Sequence, residues 1–188
     1  HLGAIDWSGV PLLPPASLAA DGGPAGSIPG KAQLQLRLRS EQVDERGLPR
    51  DANATTLRTR LTWTSPAWRA WQATLEVDDI RAVDVDAYNS TVNGQALRPV
   101  VSDPPDTELN RAVLEWKRPA YDLALGRQRL VLDNQRWVGN VGWRQNEQTF
   151  DGATLHWRPA KKTELTLAWF GNVNRVYGPR SGTQAANW

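Results

Sequence analysis

The sequence has no cysteine and no methionine, only two histidines in 188 residues, and no long apolar run. Each shortage excludes something. Without cysteine there is no disulfide framework and no thiolate metal site, and no cofactor is expected. The absence also suits an oxidising compartment, where a spare thiol is a hazard. The chain begins at His1 rather than methionine, so it is expected to be a processed chain or an excerpt of a longer one. No segment approaches the roughly 20 apolar residues of a spanning helix, and mean hydropathy is -0.54. Pro11-Leu12-Leu13-Pro14-Pro15 is too short and too rich in proline for a signal-peptide core. Charge of one sign is scarce as well: 22 basic against 20 acidic side chains leave +2. The pI of 9.2 reflects how little titrates between carboxylates and lysines, so a nucleic-acid partner gains little support. No Ser-His-Asp, HExxH, P-loop or GxGxxG pattern occurs, and no enzyme is expected. All-β solutions remain, because β-barrels escape hydropathy averages.

Tryptophan is what the sequence has in excess, with ten. Residues 1–30 hold Pro, Gly, Ala and Ser without periodicity and read as a flexible tail. From Lys31 the pattern has period two. Ala32, Leu34, Leu36 and Leu38 alternate with Gln33, Gln35, Arg37 and Arg39. Six further segments follow, through Leu57–Trp63, Trp71–Val77, Arg111–Lys117, Tyr121–Leu132, Ala153–Trp157 and Glu164–Trp169. Helical periodicity is absent. The expected fold is an all-β, antiparallel up-and-down transmembrane β-barrel, of which residues 31–178 supply an incomplete N-terminal portion of about seven strands. Residues 179–188 read as a loop or truncated end.

The connections sharpen this. Three are short and alike: Thr64-Ser65-Pro66-Ala67, Lys117-Arg118-Pro119-Ala120 and Arg158-Pro159-Ala160-Lys161-Lys162. Proline presets φ for a tight turn and cannot donate to a ladder, so each marks a hairpin end. The other three, Val43–Ala54, Asp79–Thr107 and Asp133–Gln148, are long. Short and long alternate, which puts all short turns at one end of the sheet, as an outer-membrane barrel requires. Trp63, Trp116 and Trp157 stand just before a short turn, and Trp68 and Tyr121 just after one. Amphipathic rings belong where hydrocarbon meets headgroup, so these five read as an interfacial girdle. Trp169 is expected at the opposite interface, about one bilayer-spanning strand from the turn at Pro159.

With the apolar face toward lipid, the polar face lines a lumen. It carries Arg37, Arg39, Arg58, Arg60, Arg111 and Lys117, with Glu76, Asp78 and Glu115 among them. Such a mixed wall with a cationic excess favours anionic or polyhydroxy solutes. Strict alternation sends Arg127 and Arg129 to the lipid side with Leu123 and Leu125, at about 2–4 kcal/mol each near the midplane. A bulge near Gly126 would return both to the lumen; otherwise the strand is already above the hydrocarbon by Arg127.

Residues 125–152, from Leu125-Gly126-Arg127-Gln128-Arg129 through Asn146-Glu147-Gln148-Thr149-Phe150-Asp151-Gly152, carry a longer pattern. With Leu57-Arg58-Thr59-Arg60-Leu61, Ser90-Thr91-Val92-Asn93-Gly94 and Asn172-Val173-Asn174-Arg175-Val176-Tyr177-Gly178, this run resembles the alginate-export family of outer-membrane β-barrel porins over roughly residues 31–178. The resemblance implies a Gram-negative outer-membrane channel with an Arg-rich lumen, monomeric when complete. Its partners would be outer-membrane lipid, the barrel-assembly machinery and an anionic or polysaccharide solute; alginate, a polyuronate, is the substrate of the family's namesake.

The loop after the fifth strand is dense in polar groups, with Trp137 and Trp143 among them. One reading folds it inward as a constriction, with Arg136 and Arg144 as solute contacts and Asp133 and Glu147 as counter-charges. The other is an extracellular loop packed on its own tryptophans. Two rivals lie outside transport. Asp133, Glu147 and Asp151 could form a carboxylate pair for glycoside cleavage, and a soluble all-β carbohydrate-binding module would use the tryptophans as stacking platforms on one exposed face. His156, on the polar face of a strand, is most simply a lumen or surface residue.

Overall fold

The computed structural model describes residues 29–83, 87–132, 135 and 138–178; most of the N-terminal stretch, Asp133, Arg136 and residues 179–188 lie outside them. Seven strands follow one another: β1 Lys31–Val43, β2 Ala52–Thr64, β3 Trp71–Ala82, β4 Asp106–Arg118, β5 Tyr121–Gln128, β6 Thr149–Ala160 and β7 Thr163–Asn174. They form one sheet in sequence order, every pair antiparallel. Among the described residues no helix is long and apolar enough to cross a membrane, which says nothing of strands. The up-and-down all-β architecture is the one the alternation required.

Short and long connections separate by end. The Pro119-Ala120 and Lys161-Lys162 turns join β4 to β5 and β6 to β7. The first hairpin turns later than its proline suggests. Trp68 and Trp71 exchange both backbone hydrogen bonds (2.9 and 2.8 Å), and the central Arg69 and Ala70 have φ of 49° and 74°, the signs of a type I′ turn. Pro66 thus stands before the tip, and the paired tryptophans carry the ladder past it. Pro159 sits where the β6–β7 register shifts, a bulge being where a residue without an N–H is tolerated in a sheet.

The sheet buries its polar side. Arg58 is 3% exposed, and Thr56, Thr74, Glu76, Asp78 and Asn110 on neighbouring strands are also buried. On the other side Leu36 is 64% and Leu167 61% exposed, with Leu34, Leu38, Leu61, Leu75, Leu109 and Leu114 beside them. A water-soluble sheet does the reverse, because apolar surface costs about 25 cal/mol per Å² when left in water. Among the described residues the buried apolar cluster is small: Ala52, Ala54, Tyr88 and Val101, with Val43 against it. It forms where the β3–β4 loop folds over the long-loop end of the polar face. Tyr88 is held there by its hydroxyl, which donates to Asp103 O at 3.0 Å.

The turn-end aromatics lie on adjacent strands. Trp71 pairs with Trp116, their rings 6.2 Å apart, and Tyr121 stacks on Trp157 at 6.4 Å. Trp71 joins this turn-end row although its place in a strand, away from any proline, hid it. Trp169 pairs with Ala153, whereas Leu165 pairs with Trp157. By strand rise that places Trp169 about 13 Å from the turn-end row and about 20 Å from the Ala160–Thr163 pair at the turn.

Candidate functional site

The site begins with a register problem. Arg37 of β1 and Arg58 of β2 are directly opposite, an arrangement that repels unless other partners are supplied. The β5–β6 loop supplies them. Val141 (φ 52°) starts a turn closed by Arg144 N donating to Val141 O at 3.0 Å. This turn aims three successive carbonyls at one guanidinium: Arg37 donates to Gly142 O (3.0 Å), Trp143 O (2.6 Å) and Arg144 O (3.1 Å). Arg58 instead donates to Gln35 Oε1 (2.9 Å) and Gln145 O (3.2 Å) and faces Glu147 at 3.5 Å.

Glu147 is the loop's ionic anchor. It is 6% exposed and meets Arg60 Nη1 at 2.8 Å and Arg129 Nε in a close pair. Burial pushes its carboxyl up, but the Arg60 and Arg129 guanidiniums outweigh burial and hold it below the usual carboxylate range. Arg60 also makes a bidentate bridge to its cross-strand partner Asp78, both bonds 2.6 Å. Glu76 accepts from Thr62 (2.9 Å), Asn110 (2.8 Å) and Arg129. Asn110 is the extra residue of a bulge in β4, where Glu76 pairs with Arg111 and Val77 with Leu109. Without that insertion its amide would point away from Glu76.

Two further links fasten the loop. Gln145 Nε2 donates to Thr56 O and Thr56 Oγ1, both at 2.9 Å, and its backbone N–H donates to Asp103 Oδ1 at 2.8 Å. Asp103 also accepts from Arg39 at 3.2 Å, while Arg144 reaches Glu41 at 3.1 Å. Both Arg39 and Arg144 lie against the ring of the exposed Trp143, at 5.1 and 4.1 Å. Just below the loop, Gln33, Gln35, Arg60, Thr62 and Glu76 line an open polar pocket.

Of the residues expected on the polar face, Arg37, Arg39, Arg58, Arg60, Glu76, Asp78 and Arg129 meet in this network. Arg111 lies beside it, its Nε buried and without a hydrogen-bond partner among the described residues. Glu115 and Lys117 pair with each other at 3.0 Å, nearer the short turns. Arg127 is placed differently. The ladder runs through Gly126 without a shift on either side, so no register bulge resets β5 there. Arg127 therefore keeps the parity of Leu123 and Leu125 and bridges Asp151 at 2.7 Å. Arg129 reaches the polar face because β5 has ended by then. From the loop, Glu147 and Arg144 join the network, while Asp133 and Arg136 lie outside the described residues.

Glu147 and Asp151 lie on opposite sides of the sheet, so they cannot flank one glycosidic bond. His156 Nδ1 lies 3.0 Å from Thr166 Oγ1 on β7. Asp103, Gln145 and Glu41 were not foreseen, since their roles depend on which loop lands on which strand.

The arrangement leaves an excess of positive charge: Arg37 is hydrogen-bonded to carbonyls and not to a carboxylate, and Arg111 adds a second cation to a face whose carboxylates are already engaged. Neither the curated proteins nor the solved structures contain a match to this chain. The sequence profile described as alginate export matches residues 30–172, a span running from just before β1 to within β7. That is a family of exporters rather than enzymes, and the all-β up-and-down sheet is the fold expected of it. The chain belongs to the alginate export family.

Proposed function

We propose that this sheet forms part of a bacterial outer-membrane channel. It passes anionic or polyhydroxy solutes, alginate-like polyuronates among them, along its arginine-bearing face. The observation that carries the proposal is the inverted burial: guanidiniums and carboxylates inside, leucines outside. Hydrocarbon is the solvent in which that sidedness is stable, and an enclosed lumen is where charges of both signs meet a solute. The docked β5–β6 loop narrows this lumen, with Arg37, Arg39 and Arg144 around Trp143 at its tip. A belt of tryptophans at the strand ends supports this reading over a soluble sugar-binding module, which would gather them on one platform.

Conductance of the complete protein in a planar bilayer tests the proposal. The expected result is a channel preferring anions, with that preference reduced in Arg37→Ala and Arg144→Ala. A protein that neither partitions into detergent nor shifts its gel mobility on heating would overturn the reading.

A further inference from the structure

The outward face is apolar only up to a border. On β3 the outward positions run Ala73, Leu75, Val77 and then turn to Asp79 and Arg81. The same change falls between Leu109 and Thr107 on β4, Leu125 and Arg127 on β5, Ala153 and Asp151 on β6, and Trp169 and Asn172 on β7. On β1 and β2 it comes at Ser40 and Thr55, whose hydroxyls are 3.4 Å apart. Two bulges keep the pattern in phase. The extra Asn110 in β4 and Gly171 in β7 each reset the alternation, so that Leu109 and Asn172 face outward.

The border runs obliquely across the strands. Traced through the ladders onto β3, it lies level with Val83 for β1 and β2, at Asp79 for β3 and β4, and at Leu75 for β5, β6 and β7. The aromatic border at the turn end descends in the same sense. Trp63 is level with Leu75, Trp71 pairs with Trp116, and Tyr121 and Trp157 lie level with Arg118. With about 3.4 Å per residue and about 4.8 Å between strands, both slopes come to about 45°. Strands in a closed barrel tilt by roughly 35–45° from the axis, so a membrane plane would cut this sheet along just such a slope.

The polar residues at the upper border are built as a rim. Asp151 accepts from Arg127 Nε (2.7 Å), Arg127 Nη2 (2.9 Å), Asn172 (3.0 Å) and Asn174 (3.1 Å), and Arg127 Nη1 donates to Leu109 O at 2.9 Å. On β3, Arg81 pairs with Asp79, which also meets Thr107. Trp169, 70% exposed, stands just below Asn172. Near an interface an outward arginine costs only about 0–1 kcal/mol, against about 2–4 at the midplane.

The geometry points to this oblique rim, through Thr55, Asp79, Thr107, Arg127, Asp151 and Asn172, as the surface that seats the protein in the lipid headgroup layer on the long-loop side. The inference rests on the membrane reading above and adds depth and tilt to it. These 188 residues hold no cysteine, so single-cysteine nitroxide labels can test it in the complete protein in bilayers, any cysteine elsewhere in that protein being replaced first, with oxygen and a water-soluble nickel chelate as relaxants. Thr55→Cys and Asn172→Cys, far apart along the ladders, should report the same headgroup depth. Leu75→Cys, level with Asn172 across the strands, should report hydrocarbon. Thr107→Cys gives the rim reading from β4 if the Asn172 variant does not fold. Equal depths for Leu75 and Asn172 would overturn the rim while leaving the membrane reading intact. Chelate-accessible labels at Leu36→Cys and Leu167→Cys would instead overturn the membrane reading itself.

Discussion

Glu147→Gln isolates the docking of the inward loop. The substitution keeps the side chain's size and its hydrogen-bonding carbonyl but removes the charge. In the wild type that charge faces Arg60 at 2.8 Å, Arg58 at 3.5 Å and Arg129 in a close pair, at 6% exposure. Without it, three guanidiniums share Glu76 and Asp78, both already engaged. Removing one partner of a buried ionic cluster costs about 3–5 kcal/mol. Docking of the loop is where that cost falls, because an undocked loop lets water reach the arginines while the ladders persist. The ratio of undocked to docked loop should therefore rise by about 10²–10³ or more, at about 1.4 kcal/mol per tenfold. Single-channel recording should show longer and more frequent high-conductance episodes. A nitroxide at Asn140→Cys should gain mobility in the same variant. Unchanged conductance and mobility would refute the view that Glu147 fastens the loop.

Three other outcomes follow from the same geometry. The carboxyl of Glu147 lies below the usual carboxylate range when docked, so its contribution is present above the ordinary value of about 4.3 and is lost as pH falls through the lowered one. High-conductance episodes should increase only below about pH 4, and Glu147→Gln should flatten that dependence. Arg37→Ala removes the donors to Gly142 O, Trp143 O and Arg144 O. Since a hydrogen bond to a charged group contributes about 1.5–3 kcal/mol, loop mobility should rise about tenfold or more, while the heat-induced unfolding midpoint in detergent changes little. Gly152→Ala should lower that midpoint by several degrees, because a Cβ there would stand 2.0 Å from the backbone oxygen of Trp169; an unchanged midpoint would refute the close approach of β6 and β7.

The strands, the face each residue takes and the sidedness of the turns were legible from alternation and proline, because these depend on neighbours one or two positions away. Arg58, Arg60, Glu76 and Asp78 could be assigned to one face on that basis alone. The partners of the loop were not legible. Nothing local in Gln145 or Asp103 says that one will donate to the other across the chain, or that Gly142, Trp143 and Arg144 will turn their carbonyls to Arg37. Arg127 shows the limit most clearly. A bulge at Gly126 would have explained it, and Gly126 is indeed irregular, with φ of 111°. The register shifts nevertheless fall at Asn110 on β4, at Gly171 on β7 and beside Pro159 on β6. Which strand of a pair carries the extra residue depends on both strands' contacts, and single-strand periodicity does not contain that information.

The placement of the Asn110 and Gly171 bulges joins the two faces of the molecule. Asn110 lets β4 present an amide to Glu76 inside while Leu109, its neighbour, stays in the outward apolar band. In a regular strand Leu109 outward and Asn110 inward would send Arg111 outward and Ala112, Leu114 and Trp116 inward; the extra residue keeps Arg111 inside and those three in the outward band. The insertion therefore lets the polar network around Glu76 extend toward the long loops without carrying a charge into the apolar band. Gly171 does the converse on β7: it leaves Trp169 in the band and turns Asn172 outward, where its amide reaches Asp151. The polar network on one face and the apolar band on the other are thus set by the same backbone irregularities. A deletion that removed either extra residue would disturb both faces at once.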